Sequence, residues 1–341
     1  MYPIGRPIQE MRTPALLLDL DKFQWNIEKM FTFAKQAGVN VRPHAKTFKA
    51  AAICSKLLDA GAIGLMTQKL GEAEALLHAG ILHGEKNLLI SQELADPAKI
   101  ETLVGMNVAM GEGKVLTAIE NVAEAELLSK AACRWGIRQH VIIEMTQGRC
   151  GVAPGKPAVD LAKKVVALKG LTFRGIYGYE NPVEKDVALQ RNKLTVDTAN
   201  MIRSAGIEVE IVSAGSTGTY EVTGTYPGIT EIEPGSFVFG VGSEGTGYGF
   251  DTRNDVYFKS SLSVLTQIIG GNFSDRVVTD AGLKAMSGGF GAPRVRVDGE
   301  FIDCEGVQLS EEHGTVRFKD GSAVRKRLTW GTKIEFIPSH C

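Results

Sequence analysis

The sequence predicts an α/β chain: a (β/α)8 barrel of TIM type followed by a smaller C-terminal β domain. Three observations carry that expectation. Eight short apolar runs recur through the first two-thirds of the chain, separated by segments of helical period. Past about residue 250 the texture turns to period-two alternation with Asp-Gly turns. Polar residues of several kinds also stand directly after the apolar runs, where such a barrel has its active face.

The apolar runs cover residues 15–20, 39–43, 62–66, 87–90, 114–119, 141–145, 171–177 and 209–213. A parallel strand covered by helices on its outer side reads as a continuous apolar run. Between most of them, residues 21–37, 48–60, 71–79, 122–135, 156–168 and 185–205 carry helical spacing. Helical crossovers imply parallel strands, and eight is the number that closes a barrel. An open doubly wound sheet would use the same elements, but no G-x-G-x-x-G follows the first run to support its dinucleotide-binding form.

The β domain is read from "RVVTDAG", "RVRVDGEFIDCEG", "HGTVRFKDG" and "WGTKIEFIP", with turns at Asp298-Gly299 and Asp320-Gly321. The glycine-rich "GVGSEGTGYGFD" marks the boundary. The barrel is therefore expected over residues 13–245, and the β domain over 246–341 with 1–12.

Composition narrows the function classes. The chain has 341 residues, 44% hydrophobic and 23% charged, which is ordinary for a globular protein. A net charge of −1 leaves no electrostatic footprint for nucleic acid or an anionic membrane surface. The N-terminus carries no apolar signal segment. Five scattered cysteines without a C-x-x-C pair fit reduced thiols, so a cytoplasmic location is expected.

The strand ends hold the chemistry. After the second run comes "HAKTFK" with Lys46, after the third "TQK" with Gln68, and after the sixth "TQGRCG" with Arg149. "GYEN" with Tyr179 follows the seventh and "AGSTGT" the eighth. Any one of these reads equally well as an exposed loop; their convergence on one mouth is more specific. A turn of small residues presents successive N–H groups to an anion. Facing a lysine, it suggests a phosphorylated cofactor, and pyridoxal phosphate fits best. One of the lysines after the second run, Lys46 or Lys49, is then the candidate nucleophile, because an amine desolvated near another cation loses its proton more readily.

"RPHAKTFKA", "TQKLGEAEAL", "QGRCGV", "GSTGT", "TEIEPGSFVF", "DAGLK", "EEHG" and the final "IPSH" together resemble D-threonine aldolase and its D-serine dehydratase relatives. These are pyridoxal-phosphate enzymes of the alanine-racemase fold. The resemblance runs from about Thr13 to the last residue, and "HAK" and "QGRCG" are its most specific parts. It implies that Lys46 forms the Schiff base and that Arg149 meets the cofactor's phenolic oxygen. Tyr179 and Gln68 would orient ring and substrate. Ser216, Thr217 and Gly218 would take the phosphate with Gly235 and Ser236. Glu231 or Glu233 would approach the pyridine nitrogen. Phe237 stands where the family often has tyrosine.

The resemblance further implies a divalent metal held by His340 and a second ligand two residues on. Cys341 occupies the intermediate position, so the second ligand is expected just past it, on a tail missing from this chain. A carboxylate there would suit manganese or magnesium, and a thiolate zinc. The expected reaction is retro-aldol cleavage of a D-β-hydroxy-α-amino acid such as D-threonine, by a homodimer. The alternatives are dehydration of D-serine or 3-hydroxy-D-aspartate, and cofactor binding without turnover. A racemase would require a catalytic tyrosine, for which the β domain offers Tyr257.

Overall fold

The computed structural model describes residues 4–146, 148–179, 184–240 and 258–341. They form two compact units, Glu28–Gly235 and Met1–Ile27 with Ser236–Cys341. The sequence drew these boundaries at 12/13 and 245/246; the second lies outside the described residues.

The elements follow in the expected alternation. The chain begins with β1 (Ala15–Leu18), α1 (Leu20–Ala37), β2 (Asn40–Val41), α2 (Ala51–Asp59) and β3 (Gly64–Thr67). Then come α3 (Leu70–His78), β4 (Asn87–Ile90), α4 (Pro97–Met110), β5 (Val115–Ile119) and α5 (Val122–Trp135). The sequence continues with β6 (Gln139–Glu144), α6 (Lys156–Ala167), β7 (Leu171–Tyr179), α7 (Lys185–Ser204) and β8 (Ile211–Gly215). A short α8 (Tyr220–Gly224) leads to β9 (Glu231–Ile232).

Eight of these strands lie parallel in the order β2-β9-β8-β7-β6-β5-β4-β3. The two ends of that order meet: Met66 N–H donates to Pro43 O at 2.9 Å, Ile63 N–H donates to Val41 O at 3.1 Å, and His44 bridges Met66. The barrel is present, with one change of membership. The run at 15–20 forms β1, which belongs to the second unit and pairs antiparallel there, Ala15 opposite Leu265. The missing barrel strand is β9, which joins β2 to β8 through Asn40↔Glu231 and Ser213↔Glu231.

Local chemistry fixes the crossovers. Asp96 caps α4, accepting from Ala98 N–H at 2.9 Å, with Pro97 in the first turn. Asn121 caps α5, accepting from Glu124 N–H at 3.0 Å, and Gly136 ends that helix in the left-handed conformation. Met66, Leu89, Leu116, Ala118, Ile142 and Tyr177 pack as one apolar cluster.

The other unit continues with β10 (Leu262–Gly270), β11 (Arg276–Thr279), β12 (Arg294–Val297), β13 (Glu300–Phe301), β14 (Gly306–Leu309), β15 (Gly314–Arg317), α9 (Ala323–Arg327) and β16 (Lys333–Ile337). Its sheet runs β13-β12-β16-β10-β11-β15-β14, with β1 on β10. Asp298 and Gly299, both at positive φ, turn the β12–β13 hairpin as expected. Asp320-Gly321 instead precedes α9. Val264, Ile268, Val277, Val316, Ile334 and Phe336 form the core of this sheet. Among the described residues no helix is long and apolar enough to cross a membrane.

Candidate active site

The turn after β2 presents Lys46 half-buried, directly behind a buried His44. His44 ends the extended segment, and its Nδ1 accepts from Lys46 N–H at 3.5 Å. Its Nε2 lies 3.5 Å from Ser91 Oγ, which donates to Gln68 Oε1 at 3.4 Å. Burial, and then the charge of Lys46, hold the imidazole well below the ordinary histidine value, so it is neutral. Lys49 precedes α2 instead of lying on it, adopts a positive φ, and is exposed in an ion pair with Glu72 at 3.3 Å. Position thus favours Lys46 over Lys49.

A turn of small residues, 216–219, lies beside this one. After β8, Ser216 N–H donates to Thr219 Oγ1 at 3.0 Å, and Thr219 N–H closes the turn on Ser216 O at 3.2 Å. Gly218 N–H has no acceptor among the described residues. Thr217 Oγ1 accepts from Gly235 N–H at 3.1 Å, which joins the segments after β8 and β9. A Cβ on Gly235 would stand 2.5 Å from Thr47 Oγ1 and 3.1 Å from His44 O. Only glycine allows the chain to pass this close to the Lys46 turn.

Glu231 and Glu233, both on or after β9, project to the same side of the strand. Arg42 donates to Glu231 at 2.7 and 3.1 Å and to Asn87 Oδ1 at 2.6 Å, which leaves Glu231 in a satisfied, buried ion pair. Glu233 is only 3% exposed and accepts from Ser213 Oγ through one oxygen; the other, Oε2, has no partner among the described residues. Burial pushes its carboxyl up to about 8, against the hydrogen bond from Ser213. Of the two glutamates, Glu233 is therefore the one open to a cofactor ring.

Sequence reasoning missed a second acidic group. Glu144 ends β6, buried, and Glu93 follows β4. Burial, and then the neighbouring Glu93, push the Glu144 carboxyl up to about 9. Arg149 is exposed on the segment after β6, and its charge acts on both Glu144 and His44. A glutamate directly continuing "HVII" was the signal in the sequence, since a charge inside an apolar run has to find a partner.

Lys46, Gln68, Arg149, Ser216, Thr217, Gly218 and Gly235 thus follow strands of one barrel at the same end. Tyr179 ends β7 opposite Gly215; its side chain lies outside the described residues, as does Tyr257. Ser236 and His340 belong to the other unit. There the His340 ring stacks on Phe290 with centroids 4.3 Å apart, and Cys341 Sγ donates to Ser236 Oγ at 3.3 Å. Phe237 is fully buried against Phe258. No group of three histidine, cysteine or acidic side chains able to hold a metal ion occurs among the described residues.

Residues 18–243 match the family model of the alanine racemase N-terminal domain, and residues 261–341 match a serine dehydratase domain. The chain belongs to the alanine racemase N-terminal domain family, and it is a pyridoxal-phosphate-dependent lyase. It is 31% identical over 353 residues to 3-hydroxy-D-aspartate aldolase of Paracoccus denitrificans (strain Pd 1222), covering 99% of this chain and 87% of that protein. It is 30% identical over 346 residues to D-threonine aldolase of an Arthrobacter species, covering 98% and 87%. The crystal structure of D-threonine aldolase from Filomicrobium marinum matches with a TM-score of 0.86 at 30% identity, over 98% of this chain and 88% of that one.

The barrel mouth fits pyridoxal phosphate on its own chemistry. It offers an amine, a turn whose Gly218 N–H has no acceptor among the described residues, and a buried carboxyl with one oxygen unpartnered among them.

Proposed function

We propose that this enzyme cleaves a D-β-hydroxy-α-amino acid to glycine and an aldehyde, with D-threonine or 3-hydroxy-D-aspartate as the substrate type. The observation that carries the reading is the juxtaposition of the Lys46 turn with the segments joined by Gly235 and Thr217, two residues along the chain from the buried Glu233. The two aldolases among the relatives support the choice of reaction.

Lys46 would hold the cofactor through Nζ. Ser216, Thr217, Gly218 and Gly235 would take its phosphate, Arg149 its phenolic oxygen and Glu233 its ring nitrogen. Bound there, pyridoxal phosphate supplies a conjugated ring that accepts the electron pair released at the substrate's α-carbon. Arg149 and the small-residue turn act by orientation and charge stabilisation. Glu233 Oε2 meets a cationic N–H best as a carboxylate, so that contact would lower its proton affinity. Cleavage takes a proton from the β-hydroxyl and returns one to the α-carbon; Lys46 Nζ is the amine placed to move the latter. Gln68, tied to His44 through Ser91, and Tyr179 would orient ring and substrate. Ser236, next in the chain to Gly235, keeps the phosphate role that the resemblance implies.

Cytoplasmic residence, a homodimer and a divalent metal at His340 also remain proposals from the sequence. A single imidazole leaves water to fill most of a metal's coordination sphere, so weak binding of Mn²⁺ or Zn²⁺ is expected. No step above uses the ion.

Dehydration is the second reading, favoured by the serine dehydratase match over residues 261–341. In it, Lys46 removes the α-proton and hydroxide departs. Purified protein is to be assayed on D-threonine, 3-hydroxy-D-aspartate and D-serine, with and without Mn²⁺ or Zn²⁺. Glycine release is expected from the first two. Ammonia and a 2-oxo acid in place of glycine would establish the dehydratase.

A further inference from the structure

Arg149 sits on an exposed segment, yet a contact to a cofactor needs a fixed origin. The backbone of that segment is pinned at several points. Thr146 N–H donates to Val152 O at 2.8 Å, and Val152 N–H to Glu144 O at 2.9 Å. Gly151, at a φ of +96°, packs so closely that a Cβ would meet Thr146 N at 2.6 Å and Glu144 O at 2.9 Å. Its own N–H is taken by a side chain from the neighbouring strand's end, Glu120 Oε2, at 2.6 Å.

Glu120 is in turn held. Its N–H donates to Glu124 Oε2 at 3.2 Å, while Glu124 Oε1 accepts from Leu94 N–H at 2.7 Å. Glu124 lies in the first turn of α5, 6% exposed, with its own N–H on Asn121. One buried carboxyl thus joins the segment after β4 to the residue after β5, and Glu120 carries the connection to the segment after β6. The residues adjacent to the two far ends are Glu93 and, two positions before Gly151, Arg149.

We infer that Glu124 and Glu120 form a positioning relay that sets the Arg149 and Glu93 segments around Glu144 at the barrel mouth. The functional part of this inference rests on the reading of Arg149 as a cofactor contact. A merely structural pair would stabilise the fold and leave cofactor affinity unmoved. The relay couples to Arg149 because an acceptor on Gly151 N–H fixes the backbone two residues from it. Burial holds Glu124 up to about 7, so it keeps both acceptor roles best when ionised, above that pH.

The test compares Glu120→Ala with Glu120→Gln in the full chain. Glutamine retains an oxygen that accepts from Gly151 N–H, and alanine retains none. Two quantities are read: the dissociation constant of pyridoxal phosphate, by absorbance titration of protein resolved of its cofactor, and amide exchange over residues 148–152. Glu120→Ala is expected to weaken cofactor binding about tenfold and to speed exchange about tenfold, with Glu120→Gln within about twofold on both. In an Arg149→Ala background the effect of Glu120→Ala on cofactor binding is expected to vanish.

Equal effects of alanine and glutamine, full additivity with Arg149→Ala, or unchanged exchange at 148–152 would each overturn the relay. If Arg149→Ala alone leaves cofactor binding unchanged, the reading of Arg149 has failed instead. The exchange comparison then decides the relay by itself: fast in alanine and slow in glutamine supports it, slow in both overturns it. Should Glu120→Ala fail to fold, Glu124→Gln takes its place, since it leaves one acceptor for two N–H groups. Faster exchange at both 93–94 and 148–152 supports the coupling, and a change confined to 93–94 overturns it.

Discussion

The two ends of the barrel bury charge in opposite ways. At the end where the strands begin, Arg42, Glu231 and Asn87 satisfy one another, at 2.6 to 3.1 Å. At the end where they finish, Glu233 Oε2, Glu93 Oε1 and Thr67 Oγ1 are buried with no hydrogen-bond partner among the described residues. Glu231 and Glu233 are two residues apart on one strand, so composition and burial cannot separate them; hydrogen bonding does. A buried charge with a complete set of partners is part of the scaffold, and replacing one member leaves the other stranded. A buried polar atom left unpaired is costly, and its persistence points to a ligand that completes it.

The contrast can be broken by mutation. Glu231→Gln or Arg42→Leu leaves an uncompensated charge in the barrel and is expected to cost about 3–5 kcal/mol in urea unfolding. A loss under about 1 kcal/mol in both would remove the distinction between the two ends. Glu233→Gln is expected to leave stability equal or higher, because a neutral amide replaces a carboxyl that burial already disfavours ionising. Turnover should nevertheless fall about 10- to 100-fold, as expected for losing one charge-assisted contact to the ring. If Glu233→Gln unfolds like Glu231→Gln, both carboxyls are scaffold.

A smaller effect sharpens the same comparison through pH. Burial raises the folded-state value of Glu233 from 4.5 to about 8, so the folded protein holds this proton more tightly than the unfolded chain. That contribution is complete below about 4.5 and is lost as pH rises through 8. Without cofactor, stability should therefore decline by about 1.4 kcal/mol per pH unit across that window from this group. Glu124 and Glu144, raised to about 7 and 9, act in the same direction. Glu233→Gln should flatten part of the slope; an identical slope in the variant would place the titration elsewhere.

Much of this was legible before the fold was known. Seven of the expected strands lie in the barrel, because covered parallel strands read as apolar runs. The eighth was misplaced for a physical reason. Four residues of "ALLL" cannot say which sheet they join, and Leu16 proves 69% exposed. The strand that replaces it, β9, reads "TEIEPG", where inward-facing glutamates hide the apolar signal. The lysine, the arginine and the small-residue turn stood out because they directly follow strands of the barrel. The approach of Glu93 to Glu144 did not, since it is a product of packing that spacing does not encode.

The central claim is that the Lys46 amine holds the cofactor at the mouth, and borohydride trapping tests it most directly. The protein loaded with pyridoxal phosphate is reduced, digested and mapped by mass spectrometry. The expected result is a stable pyridoxyl mass on Lys46, with loss of the visible absorbance and none of the label on Lys49. Label on Lys49, or on no residue of the turn after β2, would contradict the account.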